Sequence, residues 1–121
     1  MYNKVGNKQL MVKIQINLSK QTQLSLRTLG AMIKAARLEQ SFSQADLAHR
    51  LNISRYTVMA LEKGDPSVAI GTVFEACTII GIPLLAENTN RLLHLSTTVA
   101  NFASVLPERS RSAITELDDN F

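Results

Sequence analysis

Tryptophan is absent from these 121 residues, cysteine occurs once, histidine twice, and only 5% of residues are aromatic. One thiol excludes any intramolecular disulfide, and Cys77 sits in an apolar helical pattern that suits a small core residue better than a nucleophile. His49 and His94 lie far apart, with no cysteine or carboxylate at ligand spacing, so no metal site is expected. Neither a glycine-rich phosphate loop nor a nucleophile elbow occurs, which argues against an enzyme and leaves no cofactor to expect. No stretch approaches the ~18–20 apolar residues of a membrane span. The N-terminus lacks a secretory hydrophobic region, so a cytoplasmic protein is expected.

Acid is also scarce in the first half. Residues 1–64 hold ten Lys/Arg against three Asp/Glu, whereas residues 65–121 hold three against seven. The listless net charge of +3 therefore hides a basic half, as contact with a polyanion requires. High aliphatic and low aromatic content suits a small Leu/Ile/Val-packed helical bundle: one domain with extensions, too short for two sizeable domains.

The basic half contains the most informative segment, residues 43–64 (SQADLAHRLNISRYTVMALEKG). Ser43 and Asp46 have capping-box spacing at the start of a helix. Leu47 and Leu51 share one face, with small Ala48 allowing close approach of a second helix. Asn52 tolerates the left-handed angles of a tight turn, and Ile53 plugs it. Ser54 caps a second helix whose inward residues are Val58 and Leu61, and Gly64 terminates it. The spacing predicts a helix-turn-helix, with Arg55, Tyr56, Met59, Thr57 and Lys63 facing outward. Recognition helices enter the major groove and contact base edges with their N-terminal residues. Arg55 can donate to guanine O6 and N7, Tyr56 can meet a thymine methyl or a phosphate, and Gln44 can bond a phosphate or an adenine edge. Ser43, Ser54 and nearby backbone N–H groups suit phosphates. A generic helical hairpin with a solvated outer face would share the charge, but not this full spacing.

With these residues in view, residues 27–82 resemble the helix-turn-helix domain of the phage-repressor (XRE, or Cro/C1) family. The resemblance implies an all-α, lambda-repressor-like five-helix bundle that binds palindromic operator DNA as a transcriptional repressor. It also implies an ion pair between Arg37 and Glu62, with Arg37 touching a phosphate. Asn52 stands where glycine is commoner in that family.

Four regions are expected: an arm at 1–23, the helix-turn-helix domain at 24–86, an amphipathic helix at 87–106 and a flexible acidic tail at 107–121. Residues 10–17 alternate apolar and polar, the period of a half-buried strand, which would need a partner strand and could find one in a second copy across a dimer; a fraying arm is the alternative. Helix 1 is expected over 24–39 with Leu26, Leu29, Ile33, Ala36 and Leu38 inward, and helix 4 over 70–80 with Val73, Phe74, Cys77 and Ile80 inward. Leu92, Leu93, Leu95, Val99, Phe102 and Leu106 give the 87–106 helix more apolar surface than a small domain covers. Homodimerisation is the natural use of that surface, because paired half-sites match two-fold protein symmetry. Folding back on its own core is the alternative.

The segment Gly64-Asp65-Pro66-Ser67-Val68, followed by Ile70-Gly71-Thr72-Val73, resembles antitoxins of the HipB type that accompany HipA-type kinase toxins. The tail's Leu117-Asp118-Asp119-Asn120-Phe121 is weakly similar to their C-termini. This implies a bacterial, nucleoid-associated, autoregulating antitoxin holding a HipA-like serine/threonine kinase. The alternative is a stand-alone phage-repressor-like regulator with no toxin partner.

Overall fold

The computed structural model describes residues 17–108, and the described chain is helical throughout its regular structure. In chain order the helices are α1 (Lys20–Glu39), α2 (Gln44–Leu51), α3 (Arg55–Lys63), α4 (Ile70–Ile80) and α5 (Thr89–Val105). The chain divides into two compact units, the first ending at Ile82 and the second starting at Pro83. Helices α1 to α4 make up the first unit and α5 belongs to the second. Residues 10–16 of the expected strand and residues 109–121 of the expected tail lie outside the described residues.

Helix α1 starts four residues before the expected boundary because Ser19 is a good cap: its hydroxyl accepts from the Thr22 N–H. It ends where Gln40 leaves the helix and Ser41 turns the chain at φ 60°. Its buried residues are Gly30, Ile33 and Arg37, a spacing that defines one face. Leu38 was expected inward, yet it is 57% exposed. The inward position four residues after Ile33 belongs to Arg37, so the polar residue takes the core-facing place and Leu38 points away.

Gly30 has a steric role that its neighbours do not suggest. A Cβ there would lie 2.6 Å from the Glu62 carbonyl oxygen and 2.7 Å from that of Leu61. Helices α1 and α3 therefore touch backbone to backbone at this point. Gly30→Ala sets a helix-propensity gain of about 1 kcal/mol against overpacking that costs about 1–3 kcal/mol. Because the obstacle is backbone that cannot swing aside, overpacking wins, and urea unfolding should show a net loss of up to about 2 kcal/mol. A gain in stability would show that the helices separate freely.

The core of the first unit consists of Ile33, Leu47, Ala48, Val58, Leu61, Ala76, Cys77 and Ile80. Its members come from all four helices, with α1 and α2 each packing against both α3 and α4. Burial raises the Cys77 thiol pKa, which keeps it in the unreactive neutral form. The Gln40 amide donates to the Ile80 carbonyl at 2.7 Å, satisfying an orphan acceptor at the end of α4. Before α4, the Asp65 carboxylate accepts from both the N–H and the hydroxyl of Ser67, at 2.8 and 2.7 Å, and these bonds lower its pKa. Phe74 was expected inside but is 40% exposed. The buried face of α4 is Ala76, Cys77 and Ile80, with Val73 packed against it, and Phe74 lies about 100° round the helix from Val73.

In the second unit, Asn88 caps α5 by accepting from the Arg91 N–H. No residue of α5 is buried. Its large apolar side chains Leu92, Leu93, Leu95, Val99, Phe102 and Val105 are exposed. His94 is exposed as well.

Candidate nucleic-acid interface

Helix α2 opens with a complete capping box. The Ser43 hydroxyl accepts from the Asp46 N–H at 2.9 Å, and the Ser43 N–H donates back to the Asp46 carboxylate at 2.8 Å. These two bonds are the main reason the Asp46 carboxyl pKa is lowered. A depressed carboxyl pKa contributes stability that is present above the unfolded-state value and lost as pH falls through the folded-state value. Lowering the pH from neutral into the ordinary aspartate range and below should therefore weaken the start of α2, read as a falling thermal midpoint. Asp46→Asn should flatten the part of that decline owed to the box; an unchanged profile would show that the box adds nothing.

Asn52 ends α2 in the left-handed conformation, at φ 55° and ψ 47°, with its N–H bonded back into the helix. The Ile53 N–H donates to the Ala48 carbonyl at 3.0 Å, completing the tight turn. Ser54 then caps α3: its hydroxyl oxygen receives the Thr57 N–H at 3.2 Å and lies 3.0 Å from the Thr57 hydroxyl. Gly64 closes α3 at φ 79°, where a Cβ would meet the Arg27 backbone nitrogen at 2.6 Å. Leu47 and Ala48 of α2 pack in the core with Val58 and Leu61 of α3, which fixes the two helices against each other.

The residues singled out from the sequence occupy distinct places on this scaffold. Tyr56, at 81% exposure, projects from the first turn of α3 beside exposed Arg55. Exposed Lys63 lies at the other end of α3, about 12 Å along the axis from Arg55. Thr57 and Met59 are half-buried, so less of each faces outward than the pattern suggested. Ser43 and Ser54 spend their acceptor oxygens on caps; the Ser43 hydroxyl can still donate, and between Ser54 and Thr57 one hydroxyl donates to the other. The first-turn N–H groups of α2 and α3, with the positive ends of both helix dipoles, give an anion two places to sit.

Behind this surface lies a buried ion pair. Arg37 of α1 donates from Nε and Nη2 to the two carboxylate oxygens of Glu62 on α3, the Nη2 bond being 3.0 Å long. Their side chains are 6% and 4% exposed. Arg37 Nη1 also donates to the Phe42 carbonyl at 2.8 Å, just ahead of α2. One guanidinium thus joins α1, α3 and the entry to α2. So deep a side chain leaves little of Arg37 for a phosphate, and its bonds place it as a fastener of the motif.

Three further contacts were not legible from spacing. The Gln44 amide donates to Glu62 Oε1 at 3.2 Å, and Arg55 Nε donates to Gln44 Oε1 at 3.4 Å. Arg50, at the end of α2, stacks its guanidinium 5.4 Å from the Phe42 ring centroid. Among the described residues no helix is long and apolar enough to cross a membrane.

Comparison with known families agrees with this geometry over the same segment. Residues 33–86 match the family model described as Helix-turn-helix. No curated protein and no solved structure matches the chain.

Proposed function

We propose that this chain, whose residues 33–86 form a helix-turn-helix domain supporting a DNA-binding transcription regulator of the XRE type, is a homodimeric repressor and the autoregulating antitoxin of a HipA-type kinase operon. The observation that carries the DNA-binding part is the pair Arg55 and Tyr56, exposed on the first turn of a helix locked against α2 by a shared core. A recognition helix presents its N-terminal residues to base edges in the major groove. Arg55 supplies the guanine contact and Tyr56 a methyl or phosphate contact. Ser43, Ser54, Thr57, Lys63 and the two helix N-termini hold the backbone. Met59 adds apolar contact from its outward edge.

The homodimer rests on α5, none of whose residues is buried within the chain. Leu92, Leu95, Val99 and Phe102 recur at the three- and four-residue spacing of a helix–helix seam. Two copies joined there would present two recognition helices to a palindromic operator. Light scattering should give twice the chain mass at micromolar concentration, and a monomer would reject the dimer.

The antitoxin part rests on the similarity of Gly64-Asp65-Pro66-Ser67-Val68 and Ile70-Gly71-Thr72-Val73 to antitoxins that accompany HipA-type kinases. Its test is co-purification from the native operon with a kinase-like product of the neighbouring gene. A kinase-like partner in stoichiometric amount supports the antitoxin, while operator binding with no such neighbour leaves a stand-alone regulator.

A further inference from the structure

We infer that α1 carries a second DNA contact surface, a basic ridge of Lys20, Arg27 and Lys34 that follows the phosphate backbone beside the groove read by α3. This rests on the DNA-binding reading and extends it to residues outside the helix-turn-helix. The three cations recur every seven residues, close to two helical turns, so they line one face of α1 within about 40° of each other. All three are exposed, and among the described residues none forms an ion pair with a carboxylate. The helix has a single acid, Glu39, about 120° round from Arg27. A merely solvated helix face ordinarily mixes the two signs. This one holds a single sign over about 21 Å.

The ridge is fixed against the recognition helix. Gly30, about 60° round α1 from Arg27, meets the Leu61 and Glu62 carbonyls. At Gly64, which ends α3, a Cβ would lie 2.6 Å from the Arg27 nitrogen and 2.7 Å from its Cα. Arg27 therefore springs from backbone pressed against the end of α3. It shares an open groove with exposed Lys63, the last residue of that helix. Asp65 lines the same groove, but its carboxylate already accepts two bonds from Ser67. Lys63 thus joins the row to the helix that carries Arg55. A strand of duplex DNA presents one phosphate per ~3.4 Å of axis, so a row about 21 Å long can meet several. Lys20 and Arg27 precede residues 33–86, so membership of the helix-turn-helix family does not account for them.

The test uses the full-length protein with Lys20→Ala, Arg27→Ala and Lys34→Ala combined, alanine being the residue that best keeps a helix. Affinity is measured across a salt series, on random duplex and on a duplex selected by wild type from a randomised pool. The triple variant should bind both duplexes about tenfold or more weakly near ~0.1 M salt, with a slope of log K against log salt smaller by about two to three. Arg27→Ala alone should remove about one from that slope. The selected sequence should not change, because phosphates carry no base identity. A second variant adds Gln21→Lys, Thr28→Lys and Ala35→Lys to the triple, which restores the net charge at exposed positions about 100° further round α1. It should recover less than about half of the lost slope. Wild-type slope and affinity in the triple variant, or full recovery in the charge-shifted one, overturns the ridge and leaves the helix-turn-helix contact standing. Unchanged DNA binding with loss of a co-purifying protein would make this face a protein surface and overturn the ridge likewise. A wild type that binds no duplex even at low salt overturns the DNA-binding reading and this inference with it.

Discussion

Replacing Glu62 by alanine should cost about 3–5 kcal/mol of folding stability, the range for removing one partner of a buried ion pair. Arg37 would keep its charge, with a side chain only 6% exposed and its two bonds to Glu62 gone. The bond to the Phe42 carbonyl cannot replace a counter-charge. Small domains are stable by about 5–15 kcal/mol, so a loss of this size would leave a large share of the molecules unfolded on moderate warming. Urea unfolding followed by circular dichroism gives the value. The double substitution Arg37→Met with Glu62→Leu should recover most of it, because well-packed apolar replacements of a buried pair are often neutral or stabilising. If Glu62→Ala costs under about 1 kcal/mol, the magnitude expected of an exposed pair, the pair does not hold the motif together. DNA binding by the double variant should still drop relative to wild type, since Gln44 would lose its anchor on Glu62.

The second large effect is on binding. Arg55→Ala should weaken the selected duplex by about 1–3 kcal/mol, roughly 5- to 150-fold, with the loss concentrated at one guanine per half-site. Its effect on folding should stay within about 0.5 kcal/mol, as for a surface residue away from core, caps and glycines. Arg55 meets that description: it is exposed and its only side-chain bond among the described residues is to Gln44. Fluorescence anisotropy on the duplex and thermal unfolding of the free protein separate the two quantities. Equal losses on the selected duplex and on random DNA would make Arg55 a phosphate contact. A phosphate contact lowers affinity uniformly and reduces the slope of log K against log salt by about one.

The helix-turn-helix was legible because its signals are local. Ser43 with Asp46, Asn52 at the turn, Ser54 and Gly64 each act on backbone within a few residues, and the structure shows every one of these caps. The inward set Leu47, Ala48, Val58 and Leu61 follows from helical period alone. Phe74 was misplaced by one step round α4, and Leu38 where the period competes with something non-local. An arginine took the core face of α1 because its partner arrives from α3, 25 residues on; the family resemblance implied that pair, but the helical period around Arg37 does not announce it. Gly30 was overlooked for the same reason: the carbonyls that exclude a side chain belong to another helix. Its isolation inside an apolar helical pattern was the available signal. The relay through Gln44 was out of reach, since sequence can show that Gln44 and Arg55 are both polar and outward but not that they meet. Ser19 could have been read as a cap, and it moves the start of α1 to Lys20.

The central claim is that α2 and α3 grip DNA in a sequence-specific way. The most direct test is selection from a randomised duplex pool at physiological salt, followed by measured affinity for the winner and for random DNA. The expected result is a palindromic consensus with half-sites about 10–10.5 base pairs apart, or a multiple of that, bound about a thousandfold or more tighter than random DNA. Enrichment of no sequence, with equal affinity for every duplex, would contradict it.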